Sequence, residues 1–122
     1  MYDQAYSALI EDLDQRGMLN DTLVANLSEF GRTPKVNPAG GRDHWPQCGF
    51  SLLTGGGVKR GCIFGESDKQ AAYPISHPVS PGDIVATIYQ LLGIDPHLTV
   101  PDHLGRPIHI AHGGEPIWDV IA

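Results

Sequence analysis

Residues 22–27, which read TLVANL, form a short and mostly apolar run directly after a segment with helical periodicity. In that segment, Tyr2–Gln15, apolar residues recur at helical spacing and acidic residues fill the other side, which predicts an amphipathic helix. Gly17 is well placed to end the helix. The run itself is typical of a buried strand. Helix, turn and strand in this order predict an α/β fold.

The residues that follow this strand are the first candidates for function. Glu29 lies just past the predicted carboxyl end of the strand, where open α/β sheets place their ligands. Residues 31–47 combine glycine, proline and charge, which predicts a long irregular loop, and long loops in compact domains are often functional.

Three side chains of this region have the chemistry of metal ligands. Carboxylate oxygens and imidazole nitrogens can hold zinc, manganese or calcium, so Glu29, Asp43 and His44 are candidate ligands. The alternative is that Glu29 pairs with Arg32 or Arg42 and that Asp43 caps a turn beside an ordinary loop histidine.

The cations Arg32, Arg42, Lys59 and Arg60 lie on predicted loops, where they can bind sulfate or phosphate oxygens or remain solvated. The formal net charge of −6 gives the chain no basic footprint, so we expect neither nucleic acid nor an anionic membrane as a partner. No apolar stretch of the sequence is long enough to span a membrane, and residues 1–7 lack the pattern of a signal peptide. These features do not identify the cellular compartment of the protein.

Farther along the chain, residues 50–54 predict a second strand that runs into a tight turn at residues 55–57. Residues 61–65 predict a third strand or a hairpin return. Residues 80–93 predict a second helix, with Ser80 as its cap and Gly93 at its end. The proline- and glycine-rich tail that follows predicts surface loops with short strands, and its four histidines read as structural residues.

No catalytic nucleophile is visible in the sequence. There is no serine in a Gly-x-Ser-x-Gly elbow, and neither Cys48 nor Cys62 has a histidine partner that sequence can place. Two cysteines do not make a disulfide scaffold, so we expect free thiols.

Four motifs together resemble a known family. They are LIEDLDQRGMLNDTLVANLSEFGRTP, GRDHWP, LLTGGGVKRGCIFGESD and YPISHPVSPGDIVATIYQLLGIDP, with DHLGRPI near the end. This sequence resembles the C-terminal part of a sulfatase-like bacterial family of the alkaline phosphatase superfamily, known as domain of unknown function 1501. The SEFGRTP and GRDHW pair is the specific part of the resemblance.

The resemblance implies a fold and its limits. Residues 1–122 would be the C-terminal portion of a three-layer, alkaline-phosphatase-like α/β domain, with a mixed sheet and two main helices. The segment that supplies the nucleophile would precede Met1, so we expect no appreciable turnover from the chain alone. We also expect an apolar sheet edge through which the chain can form a homodimer.

The resemblance further implies metal-dependent hydrolysis of a sulfate or phosphate ester, with a small anionic ester or a sulfated polysaccharide as substrate. In the superfamily an Asp-His pair after the strand binds metal, and Glu29 and Phe30 stand at the matching positions. His44 would supply the missing imidazole, with Asp43 beside it. Arg32 or Lys59 would bind the anion. Two alternatives remain, namely a degenerate, non-catalytic binding module and a small structural domain.

Overall fold

Glycine and proline, 15 and 10 of the 122 residues, divide the chain into short elements. A computed structural model describes residues 1–122. The elements in chain order are α1 (Tyr2–Gln15), a 3-10 turn (Leu19–Asp21), β1 (Val24–Asn26), β2 (Gly31–Arg32), β3 (His44–Trp45), β4 (Leu52–Thr54), β5 (Glu66–Ser67), β6 (Pro74–Ser76), α2 (Pro81–Leu91), β7 (Thr99–Pro101), β8 (Pro107–His109) and a second 3-10 turn (Trp118–Val120).

Both predicted helices are confirmed. After α1, Gly17 has a φ of 68°, and the Met18 N–H bonds to the Leu13 carbonyl at 2.8 Å, which completes a Schellman cap. Helix α2 begins with a capping box, in which the Ser80 hydroxyl accepts from the Asp83 N–H and the Asp83 carboxylate accepts from the Ser80 N–H. The α2 sequence therefore fixes its own start.

The strands form four separate antiparallel pairs, namely β1–β4, β2–β3, β5–β6 and β7–β8. The chain is thus a mixed α/β fold with two helices, and its sheets are small. The predicted mixed sheet is not present as one sheet, because the strands, of two or three residues each, form only antiparallel pairs and no parallel crossover occurs between them.

The prediction of a third strand or a hairpin return at residues 61–65 is wrong, because these residues form no strand. Gly61 and Gly65 have φ values of 66° and 78°, which interrupt an extended backbone, and Ile63 between them is 93% exposed. Pairing begins one residue later, at Glu66, opposite Ser76.

The β1–β4 pair confirms a strand within each of the predicted runs 22–27 and 50–54. Strand β1 is not buried as predicted, because its outer residues are half-buried and its middle residue is exposed. Its register aligns Val24 with Thr54, and the Tyr6 hydroxyl lies 2.6 Å from the Thr54 hydroxyl, which links α1 to the pair. The turn after β4 requires a glycine, since a Cβ on Gly55 would lie 2.3 Å from the carbonyl oxygen of Thr22.

The C-terminal tail packs on α2. Thr87 is fully buried, and its hydroxyl donates to the Asp83 carbonyl at 2.6 Å and accepts from the Ile117 N–H at 2.9 Å. Gly82 and Gly114 touch through their backbones, because a Cβ on Gly114 would lie 2.0 Å from the Gly82 carbonyl carbon. The tail is therefore held by hydrogen bonds and close backbone contact.

The core is thin for a chain of this length. Only 9 of 122 residues are buried, and the accessible surface is 8751 Å², whereas a folded monomer of this mass exposes about 6,400 Å². Many large apolar side chains remain exposed, including Phe50, Ile63 and Leu104. Neither helix has both the length and the apolar character that crossing a bilayer requires.

Candidate functional site: the β2–β3 hairpin and a cationic pocket

The β2–β3 hairpin places Arg32 directly opposite His44. The His44 ring stacks on Phe30, with 3.7 Å between ring centroids and 19° between planes. The Arg32 guanidinium carbon lies 5.8 Å from the centre of the same Phe30 ring. One aromatic ring therefore contacts both nitrogen-bearing side chains and holds them on one side of the hairpin.

The turn into β2 requires a glycine. A Cβ on Gly31 would lie 1.9 Å from the Cys48 carbonyl oxygen, so any larger residue would push the two segments apart. The glycine between Phe30 and Arg32 is therefore required for this part of the hairpin to form.

Glu29 lies just before β2 and is exposed. Its carboxylate takes part in none of the ion pairs of the structure, so it is paired with neither Arg32 nor Arg42. The carboxylate is free to bind a ligand from solution.

Asp43 is engaged within its own loop. Its carboxylate accepts from the Asn37 side-chain amide at 3.1 Å, and its backbone N–H and carbonyl both bond to Thr33, at 3.1 and 3.0 Å. These bonds hold Asp43 to the loop through both its side chain and its backbone.

The three candidate ligands do not form a metal centre on their own. No group of three or more His, Cys, Asp or Glu side chains comes together to hold a metal ion. The Asp43 carboxylate is already hydrogen-bonded, and the His44 ring lies flat against Phe30. A metal at this position would need ligands beyond these residues.

The loop between β2 and β3, residues 33–43, is ordered by short-range hydrogen bonds. The Asn37 side-chain oxygen accepts from the N–H groups of Ala39 and Gly41, at 3.1 and 3.0 Å. The Thr33 hydroxyl donates to the Lys35 carbonyl at 2.9 Å. These bonds stabilise the conformation of the loop that connects β2 and β3.

A second loop, residues 68–73, lies against the first. Its turn is closed by Asp68, whose carboxylate accepts from the Gln70 and Ala72 N–H groups at 3.0 and 2.8 Å. Trp45 joins the two loops, because its indole N–H donates to the Ala72 carbonyl at 2.7 Å and its ring meets Tyr73 edge-on at 5.8 Å.

A pocket of about 480 Å³ opens between the two loops. It is lined by Pro34, Lys35, Arg42, Lys69 and Gln70, with no hydrophobic residue and no carboxylate among them. We call this the cationic pocket. The Arg32 guanidinium donates to the Arg42 carbonyl at 3.5 Å, so the hairpin and the pocket are adjacent.

Lys59 lies elsewhere. Its ammonium donates to the Asp119 carbonyl at 3.0 Å and its N–H to the Val120 carbonyl at 2.8 Å, which ties it to the C-terminal turn. The two predicted anion-binding residues therefore contact different parts of the chain, since Arg32 bonds to Arg42 and Lys59 bonds to the C-terminal turn.

Sequence reasoning missed Lys35, Lys69 and Trp45. The two lysines are far apart in sequence, and no spacing pattern links them. The signal that was available is the motif GRDHW, whose tryptophan connects the loops that carry them.

The fold and this region define an α/β chain with small antiparallel sheets, in which several cations gather on loops beside a strand end. A family model described as "Protein of unknown function (DUF1501)" matches residues 1–121, and the chain therefore belongs to this family. Comparison with curated proteins and with solved structures gives no significant match.

Proposed function

We propose that this chain is part of a hydrolase-like protein that acts on sulfate or phosphate esters, of the sulfatase-like type within the alkaline phosphatase superfamily. The observation that carries the proposal is the pairing of Arg32 with His44 across β2–β3. Glu29 precedes this pair in the segment between β1 and β2. A guanidinium beside an imidazole is suited to the oxygens of a tetrahedral ester group.

In this proposal Arg32 binds the anionic oxygens, and the positive charge that it holds in place offsets charge that develops on the transferred group. His44 adds a further N–H donor from its imidazole ring. The substrate class is a small anionic ester or a sulfated polysaccharide.

The proposal includes a divalent metal. Glu29 and His44 are the ligands that we test first, because the Glu29 carboxylate is unpaired and both side chains are exposed. Zinc, calcium and manganese are the candidate ions.

The experiment is metal binding by the full chain, measured by equilibrium dialysis against each of the three ions and elemental analysis. We expect one bound ion per chain and a loss of at least about tenfold in affinity for Glu29→Ala and His44→Ala. Glu11→Ala and His103→Ala, both in exposed positions, are the matched controls. Absence of binding, or equal losses in the controls, would remove the metal from the proposal.

A second candidate function is a non-catalytic module that binds the same esters. It is favoured by Phe30, which stands where the superfamily has histidine, and by its stacking on His44. Ester binding that needs Arg32 but no metal would favour this module over the hydrolase.

A further inference from the structure

The lysine and arginine side chains that have no ion-pair or hydrogen-bond partner all line the cationic pocket. The whole chain has eight lysines and arginines. Three of them pair with aspartates, namely Arg16 at 3.2 Å, Arg60 at 3.5 Å and Arg106 at 2.7 Å. Lys59 and Arg32 donate to backbone carbonyls. The side chains that make neither contact are Lys35, Arg42 and Lys69, and all three line the cationic pocket.

The neighbouring carboxylates form no ion pair with these cations. Asp43 follows Arg42 in sequence, but its carboxylate accepts from Asn37. Asp68 precedes Lys69, but its carboxylate closes the turn of its own loop. Each acidic neighbour is thus committed to shaping a loop, and its charge is not paired with a cation of the pocket.

Three like charges around one pocket repel each other, in a chain whose net charge of −6 offers many acidic residues for pairing. The arrangement is also fixed between two ordered loops by the Trp45 to Ala72 hydrogen bond. An anion placed between the three cations would turn this repulsion into attraction.

We propose that the cationic pocket is a binding site for a tetrahedral oxyanion, the sulfate or phosphate group of a polar ligand. The Arg42 guanidinium offers paired donors, the two lysines offer point charges, and the Gln70 amide can donate a further hydrogen bond. The volume of about 480 Å³ falls within the range of ligand pockets, and the lining has no hydrophobic residue, so the group belongs to a hydrophilic body such as a sugar.

This site is separate from Arg32 and His44 and does not rest on the proposed hydrolytic function. If both sites bind, a ligand with two anionic groups can reach from one to the other, because Arg32 contacts Arg42.

The test is a titration of the full chain with inorganic sulfate and, separately, inorganic phosphate, followed by amide NMR shifts at constant low ionic strength. We expect saturating shifts in residues 33–43 and 68–72. The double variant Lys35→Gln with Lys69→Gln should weaken binding at least about tenfold, which corresponds to about 1.4 kcal/mol.

The matched control is Arg16→Gln with Arg60→Gln, which produces the same net charge of −8 (−6 minus 2) by removing cations that already have partners. It should change the affinity less than about twofold, since distant exposed charges are screened. Saturation by sulfate or by phosphate supports the site, and the anion that binds tighter is the group that the cationic pocket prefers. Equal losses in both double variants, or shifts confined to other residues, would overturn the proposal.

Discussion

The Trp45 indole N–H donates a 2.7 Å hydrogen bond to the carbonyl oxygen of Ala72, a residue that is itself buried. This bond directly links β3, which follows the loop after β2, to the loop that follows β5. The positions of Lys35 and Lys69 relative to each other depend on it.

We predict that Trp45→Phe lowers the free energy of unfolding by about 1–3 kcal/mol, because the variant keeps an aromatic ring but leaves a buried carbonyl without its donor. The measurement is urea denaturation followed by far-UV circular dichroism. Trp118→Phe is the matched control, since Trp118 is 62% exposed and its indole makes no hydrogen bond. A Trp45→Phe variant as stable as this control would contradict the structural role of the bond.

Thr87 gives a second prediction. Its hydroxyl joins α2 to the Ile117 N–H from a fully buried position, so Thr87→Val keeps the shape of the side chain and leaves that N–H unsatisfied. We expect a loss of about 1–3 kcal/mol in the free energy of unfolding, whereas Thr87→Ser, which keeps the hydroxyl, should lose less. Thr99→Val, on an exposed strand, should be close to neutral. Equal midpoints for Thr87→Val and Thr99→Val would refute the role of the hydroxyl.

The stability should depend on pH through Asp83. Burial raises the pKa of the Asp83 carboxyl, but hydrogen bonds from the Glu115 N–H and from Ser80 outweigh burial, and the net pKa lies below its ordinary value of 3.8. A carboxyl with a lowered folded-state pKa stabilises the fold above its unfolded pKa, and this stabilisation is lost as the pH falls through the folded pKa.

We therefore expect the free energy of unfolding to decrease as the pH falls from about 5 to about 2, and to decrease less steeply in Asp83→Asn. Urea denaturation at several pH values measures both slopes. Some slope should remain in the variant, because hydrogen bonds from Arg106 also lower the pKa of Asp102. Parallel curves for the wild type and Asp83→Asn would be inconsistent with this assignment.

The β7–β8 hairpin gives a prediction about self-association. All six of its residues are exposed, and Val100 lies opposite Ile108 in the register. A two-stranded hairpin with an apolar pair and open edges is a surface on which a second copy can pair. We expect a dimer in sedimentation velocity at high concentration, weakened by Ile108→Lys and retained in Leu9→Lys on α1. A monomer at all concentrations would contradict this expectation.

Local sequence determined the helices. Ser80, Asp83 and Gly93 specify α2 by capping chemistry that acts within a few residues, and Gly17 does the same for the end of α1. The strands β1 and β4 were also predictable, because each is a short apolar run beside turn residues. Two-residue strands such as β2 and β5 carry no periodicity, so their pairing could not be read from the sequence.

The candidate site was predictable in part. The position of Glu29 after β1 followed from the strand and is confirmed, whereas the alignment of Arg32 with His44 depends on a hairpin register that spacing does not encode. The cationic pocket depends on contact between two loops far apart in sequence, and that contact rests on one side-chain bond to a backbone carbonyl. A backbone carbonyl leaves no residue-specific signal in a sequence.

The two tryptophans of the chain also give it an internal optical reporter. Trp45 is partly shielded and hydrogen-bonded beside the cationic pocket, whereas Trp118 is largely in water at the C-terminal turn. Their emission should differ in wavelength and in access to a soluble quencher. Occupation of the pocket can therefore be followed in the Trp118→Phe variant from the fluorescence of Trp45 alone, without a label attached to the protein.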